Sequence, residues 1–464
     1  MIQYAFQTIS FLDFGLSLLL LLFFLGIGYI RQRNRQTLQP YYRFYVPGLF
    51  IKLMGGLTFA GVYLFYYKGG DTMDYFSGAY AMRNLCFESP SLYFDLMFNE
   101  ITWEKYTSYF NSETLWPPSH LTRKEENFNV IRIASIPAIL TWNSFLASTL
   151  LFAYICYTAI WKVYELFCNV FPELIRPLAW AFLFLPSFFF WGSGIMKDTI
   201  SIFAICHIVV GAYQIFAKKN RKFNVLIWTV LMAYLLLVIK PYLLLAMLPG
   251  LAIWFTFERV QRIRNFFVRV FGLPILMGGI FGILFSLYIG SSEQLGYYAA
   301  DKAFKQAAII QQDLLREESY GKNSFNIGTF EPTPAGVASK APAAINAGVF
   351  RPYIWEARSP FIVVSALENL FLLVFFIYSL IKLRQRLFTE TFKHPILAFC
   401  FVFFILVAFV TGLTTANFGA LVRYKTPMLP FFVSYFVILN YYVIQKKGEL
   451  KTGFNKVVIF YSLK

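Results

Sequence analysis

Residues 46–76 read VPGLFIKLMGGLTFAGVYLFYYKGGDTMDYF, an apolar run followed at once by two carboxylates. Val46 to Tyr67 is long enough to cross a bilayer as helix, which takes about 20 residues. Its one charge, Lys52, is costly in hydrocarbon unless it faces the interior of a bundle. Gly69-Gly70 then removes side chains just ahead of Asp71 and Asp74. If a helix opens at Asp71, the i, i+3 spacing puts both acids on one face, about 5–6 Å apart at Cβ. A simpler role competes: Asp71 as helix N-cap and Asp74 as a first-turn acid favoured by the helix dipole. An acidic pair delivered to a membrane face points to chemistry on a lipid-borne substrate, with the rest of the chain as scaffold.

Composition supports the membrane setting. Of the 464 residues, 58% are hydrophobic and 14% charged, too few charges to cover a water-soluble surface of this size. Phe (55) and Tyr (30) suit lipid-facing helices with aromatic belts. The formal charge of +17 sits in short clusters between apolar runs, a topology signal rather than a nucleic-acid stripe, so no nucleic-acid partner is expected. No Cys-x-x-Cys pair or Cys/His cluster is present, which gives no basis for a zinc or haem site. The first apolar run has neither a basic lead nor a small-residue cleavage site, and is read as a retained span.

Spans are expected at roughly 14–30, 46–67, 133–160, 177–191, 198–216, 224–240, 242–257, 271–290, 361–381, 395–413 and 427–445, about eleven in all. Basic clusters follow the odd-numbered ones: Arg31, Arg33, Arg35 and Arg43; Lys218, Lys219, Arg221 and Lys222; Arg259, Arg262, Arg264 and Arg269; Lys382, Arg384, Arg386 and Lys393; Lys446, Lys447, Lys451 and Lys456. All then lie on one side, which the positive-inside rule makes the cytoplasm, with the N-terminus outside and the C-terminus inside. The expected fold is therefore an all-α polytopic membrane protein. Its parts are an N-terminal transmembrane module (1–290) with outer loop 66–132, a second outer loop (291–360), and C-terminal transmembrane helices (361–464). Short interfacial helices are expected at 91–98 and 103–109, and an amphipathic helix at 299–318. The Gly/Pro/Ala-rich 321–348 reads as a flexible lid.

Polar groups gather at the outer span ends. Pro186 to Thr199, PSFFFWGSGIMKDT, breaks the helix and leaves backbone groups that must be satisfied by protein or a wet cavity. Lys197 and Asp198 then open a span, Lys197 as an anion contact and Asp198 as its orienting partner or a second catalytic acid. Lys240-Pro241-Tyr242 marks another outer turn, Arg423-Tyr424-Lys425 opens the last span, and Arg351 and Arg358 precede span 361–381. Cations are least expected on that side, and a group of them matches a phosphate-linked lipid, Arg through bidentate contacts and Lys as a point charge. Each one taken singly also fits a snorkelling anchor.

With these residues in place the chain resembles a multi-spanning glycosyltransferase of the GT-C superfamily, which takes sugars from polyprenyl-phosphate donors. The likeness rests on Asp71 in the first long outer loop, the PSFFFWGSGIMKD run, and Arg423-Tyr424-Lys425 at a late outer span end. The chain departs from the pattern in an extra span before the acidic loop, in acids that are not adjacent, and in having no large soluble C-terminal domain. The resemblance implies an inverting transfer at the outer face of a bacterial cytoplasmic membrane, from a polyprenyl-phosphate sugar to a lipid, glycan or protein acceptor, in cell-envelope polysaccharide synthesis. Asp71 would be the general base or the ligand of a divalent cation, and Arg423, Lys425 and Lys197 would hold the donor phosphate. Two rivals remain. An O-antigen-type polymerase or ligase would use loop 291–360 with Arg351 and Arg358. A lipid-linked glycan transporter or flippase would use mid-span charges, for which Lys52 and Glu368 qualify; no internal repeat supports it.

Overall fold

The computed structural model describes residues 10–220, 222–261, 324–328, 331 and 334–452. The expected span at 271–290, the amphipathic helix at 299–318, and Arg221, Arg262, Arg264, Arg269 and Lys456 lie outside them. Among the described residues the chain is helical throughout, with one isolated bridge between Ser324 and Asn417. Seven helical stretches among the described residues are long and apolar enough to cross a membrane: Phe11–Arg35, Pro40–Tyr67, Phe145–Val170, Lys197–Ala217, Pro360–Leu383, Pro395–Thr414 and Phe418–Val443. Three shorter apolar helices, Phe223–Ile239, Pro241–Phe257 and Ala341–Phe350, accompany them. This is a multi-pass, all-α membrane protein.

The first helix, α1 (Phe11–Arg35), opens on a capping box in which Ser10 and Asp13 satisfy each other's backbone N–H groups. It lies against α2 (Tyr45–Gly61), where Gly28 admits the Leu49 side chain, and against the Phe145–Val170 helix, where Phe24 stacks on Tyr154 at 4.1 Å; Phe11, Leu12, Leu19 and Leu22 are exposed. A π-helical turn, Val62–Tyr67, ends α2; Lys68 is left-handed, and Gly70 holds φ 110°, which favours glycine. Then come α3 (Asp71–Glu88), α4 (Pro90–Phe98) and α5 (Trp103–Tyr109), the last two where short helices are expected in the sequence.

The expected span 133–160 is instead two helices. α6 (Glu125–Leu140) packs along α3, and α7 (Phe145–Val170) is the span. Trp142 and Asn143 both adopt positive φ between them, and Ser144 caps α7 by accepting from Ala147 N. The polar Thr-Trp-Asn-Ser turn outweighs the apolar flanks. The expected span 177–191 is also broken: helix runs to Phe184, Leu185 is extended ahead of Pro186, and a short α8 (Pro186–Trp191) follows. Next are α9 (Lys197–Ala212), α10 (Phe223–Ile239) and α11 (Pro241–Gln261).

In the C-terminal part, α12 (Ala341–Phe350) corrects the lid expectation for its residues. It packs on α14 (Pro395–Thr414), and α13 (Pro360–Leu383) lies between them in sequence. A Cβ on Gly348 would stand 2.1 Å from the Ala408 carbonyl oxygen, and one on Gly412 would stand 1.9 Å from that of Ala344. Helices in lipid associate by such close approach of small residues, since apolar burial alone gives no preference for protein over lipid. The described residues end with α15 (Phe418–Tyr424) and α16 (Leu429–Thr452), so Arg423 and Lys425 fall inside the last described apolar stretch.

Helix direction sorts the charges. Arg31 and Arg35 hydrogen-bond Tyr45 and Tyr42 at the start of α2, and Tyr41 there donates to Glu165 late in α7. α9 runs parallel to α7, with Cys156 against Thr199 and Lys162 against His207, so Lys218 and Lys219 follow at the same end as Glu165. α13 starts where Phe361 meets Tyr66 and Tyr67, and it finishes at Lys382 and Arg384. The described clusters that follow α1, α9 and α13 thus share one end of the bundle, and Asp71 is at the other.

Two span-buried charges turn out to hold α8. Lys52 donates to the carbonyls of Gly192 (2.5 Å) and Phe188 (3.4 Å) at its C-terminal end. Glu368 accepts from Ser187 N (2.8 Å) at its N-terminal end. An ammonium on the carbonyl end and a carboxylate on the amide end both suit the helix dipole, so these residues anchor a broken helix.

Candidate functional site

Four chain breaks converge at the Asp71 end. The Gly69-Gly70 turn starts α3 with Gly70 as N-cap, so Asp71 is the first helical residue and not the cap. The stretch Gly192 to Met196 leads into α9. Its Gly194 lies beneath Phe59, whose ring carbon would be 2.1 Å from a Cβ, so any larger residue would force the Phe59 ring or the local backbone to move. The freed backbone is satisfied locally: Ser193 Oγ donates to the carbonyls of Phe189 (2.5 Å) and Lys52 (3.2 Å), and Thr199 Oγ1 donates to that of Gly194 (2.6 Å). Lys240 ends α10 just before Pro241 starts α11. Asn417 caps α15, accepting from Gly419 N, and this short helix presents Arg423 in its last turn.

Together these breaks build a row of alternating charges. Arg423 Nη2 donates to Asp71 Oδ2 at 2.9 Å, and its Nε stands 3.7 Å from Asp198 Oδ2. Asp198 Oδ1 accepts from Lys240 Nζ at 2.6 Å. Burial is graded along the row: the Asp71 side chain is 53% exposed, that of Arg423 19%, those of Lys240 and Asp198 7% and 2%. The Arg423 guanidinium lies 6.0 Å from the Trp191 ring centre, and the Lys240 ammonium lies 4.7 Å from that of Tyr424. Arg423 Nε is buried without a hydrogen-bond partner among the described residues.

Two flanking pairs complete the site. Lys197 Nζ meets Glu126 Oε1 at 3.0 Å, and Asp74 Oδ2 stands 3.5 Å from His120 Nε2. Tyr75 donates to Asn127 at 3.2 Å. Burial in this crowded hollow raises the Asp71 carboxyl, but Arg423, by charge and hydrogen bond, outweighs it with help from Lys197 and His120. The net result lies below the ordinary carboxylate value, so Asp71 is an ionised acceptor at neutral pH. The Tyr75 hydroxyl is pushed up, by burial first and then by Asp71, and remains a donor.

Asp71, Asp198, Lys240 and Arg423 are therefore in one assembly, with Tyr424 stacked beside it and Lys197 and Asp74 at its edge. Glu126, His120, Tyr75 and Trp191 join them. Glu125-Glu126 at the start of α6 was the legible signal for one of these; Tyr75 and Trp191 lie within the 46–76 and 186–199 stretches, and His120 carries no pattern in sequence. Lys425, expected on phosphate, is elsewhere. Its three donors are taken by the Val349 carbonyl (3.0 Å), the Arg351 carbonyl (3.0 Å) and Asn369 Oδ1 (2.5 Å), and it is buried. Arg351 is also apart, gripped by both oxygens of Glu356 and lying on Phe325 and Phe418. Arg358 is exposed.

The donor set does not fit a divalent cation. The two carboxylates of the row each face a cation, and no group of three or more His, Cys, Asp or Glu suited to a metal occurs among the described residues. What the row can do is accept a proton at a half-exposed carboxylate beside a guanidinium able to take an anion. Comparison of the chain with protein-family models, with curated proteins and with solved structures found no match in any of the three.

Proposed function

We propose that the protein is an inverting membrane glycosyltransferase that moves a sugar from a polyprenyl-phosphate donor to an acceptor hydroxyl. The observation that carries this reading is the Asp71–Arg423–Asp198–Lys240 row, assembled from four separate chain breaks at one end of the bundle. Asp71 takes the acceptor's hydroxyl proton as its oxygen attacks the anomeric carbon. The bond from that carbon to the phosphate oxygen breaks, and polyprenyl phosphate leaves with the electron pair. Arg423 meets the growing charge on the phosphate, and Lys197 at the rim adds to the field. Attack opposite the leaving phosphate inverts the anomeric centre. A base of low pKa suffices because a charge-matched phosphate leaves readily.

The orientation belongs to the same proposal. Arg31, Arg35, Lys218, Lys219, Lys382 and Arg384 lie at the bundle end away from Asp71, so the positive-inside rule puts the site at the outer face of a cytoplasmic membrane, bacterial in this reading. The prenyl chain then lies against lipid-exposed helix faces.

The test is transfer of radiolabelled sugar from a polyprenyl-phosphate donor by the full chain purified in detergent. Asp71→Asn is expected to lower the rate by about 10²–10⁴-fold, the usual worth of a general base, while Arg351→Ala changes it little. Retained activity in Asp71→Asn with loss in Arg351→Ala would move the chemistry to the 291–360 loop, as in a polymerase or ligase. A requirement for sealed vesicles and a gradient would make the protein a carrier.

A further inference from the structure

The row contains an imbalance that bears on how a lipid phosphate would enter it. Arg423 serves two carboxylates of very different standing. Asp198 is buried and fixed by Lys240, so withdrawing its cations would strand a charge out of water. Asp71 is half exposed, so water replaces a lost partner there at little cost. The guanidinium has five N–H donors; its buried Nε faces Asp198 at 3.7 Å, and its Nη2 serves Asp71.

We propose that Arg423 is a shared cation for which a prenyl-linked phosphate competes with Asp71, while Asp198, fixed by Lys240, is the positioning residue that keeps the guanidinium in place. This rests on the glycosyltransferase reading. Arrival of the donor phosphate then turns Arg423 away from Asp71 and leaves that carboxylate free for the acceptor's proton. The base is thus occupied until a donor is present, and donor binding precedes acceptor activation.

The competition is testable by binding alone. Full-length protein in detergent at pH 7 is titrated with farnesyl phosphate, with farnesol as the uncharged control and inorganic phosphate as the free-anion control. Asp71→Asn should bind farnesyl phosphate about threefold to tenfold more tightly than the unaltered protein, because the competitor for Arg423 has lost its charge. Removing any nearby negative charge would help an anion somewhat, so the decisive comparison is a double-mutant cycle with Arg423→Gln. On that background the gain from Asp71→Asn should vanish. Farnesol binding should be unchanged throughout, which would support the shared cation.

Equal or weaker farnesyl phosphate binding by Asp71→Asn would overturn the proposal. So would a gain that persists with Arg423→Gln, or one seen for inorganic phosphate and not for the prenyl phosphate. A cycle behaving as expected in a protein that transfers no sugar would uphold the shared cation and remove the enzymatic reading, so the two fail separately.

Discussion

Arg423 and Lys425 are two residues apart, both basic and both within the last described apolar stretch, yet they belong to different kinds of assembly. Lys425 donates to two backbone carbonyls and one amide oxygen, one acceptor for each of its three hydrogens. Those carbonyls lie at the C-terminal end of α12, where a helix leaves acceptors unsatisfied. Arg423 pairs with one half-exposed and one buried carboxylate and retains an unused donor. The difference lies in saturation. A buried cation whose donors all end on fixed acceptors of the protein holds helices together, whereas one shared with a half-exposed carboxylate can take a ligand. Lys52, buried and donating to two carbonyls of α8, likewise braces a helix.

The comparison breaks most visibly at Lys425. Lys425→Met removes a buried cation from three acceptors and should cost about 3–5 kcal/mol of stability, the range for breaking a buried charged contact. Thermal unfolding in detergent reads this as a large drop in midpoint. Transfer per folded molecule, measured below that midpoint, should stay close to that of the unaltered protein. A Lys425→Met protein that is stable and unable to bind farnesyl phosphate would move Lys425 into the site and end the distinction.

A smaller effect sharpens the other side. Asp198→Asn and Lys240→Met each strand a buried partner and should each destabilise strongly, while the double variant recovers part of the loss. A coupling of about 1–3 kcal/mol is expected for groups in direct contact. Because Asp198 positions Arg423, the double variant, even where folded, should also weaken farnesyl phosphate binding. Additive losses of stability in the cycle, with unchanged binding, would reduce the Lys240–Asp198 pair to a bystander.

How much of this was readable from sequence follows from what sequence patterns encode. The spans were legible because apolar length is a property of a segment, and α1, α2 and α9 lie where it placed them. The break at Trp142-Asn143 was not, since two residues at positive φ among apolar neighbours leave hydropathy almost untouched. Asp71, Asp198, Lys240 and Arg423 could be named because charge at a span end is expensive and stands out. Which of them meet could not. Arg423 stood out in sequence and Lys425 was grouped with it on phosphate, and the carbonyl end of α12 separates them. That end belongs to a stretch whose Ala, Gly and Pro content suggested a lid, because small residues that permit tight helix packing in lipid also compose flexible loops.

The subtlest consequence concerns pH. In the free protein Arg423 holds the Asp71 carboxyl below its ordinary value of 3.8 against the opposing effect of burial. A depressed carboxylate pKa means that the ion pair contributes above the unfolded value and is lost as pH falls through the native one. The acid limb of kcat/KM for the donor reports the free enzyme and should therefore lie below the ordinary carboxylate range. With donor bound and Arg423 turned to its phosphate, burial acts on Asp71 with less opposition, so the limb of kcat, which reports the complex, should move upward. A phosphodiester donor does not itself titrate in this interval, so the displacement belongs to the protein. Coincident limbs would mean that Arg423 never leaves Asp71, and the two carboxylates of the row would then differ in exposure alone and not in what they do.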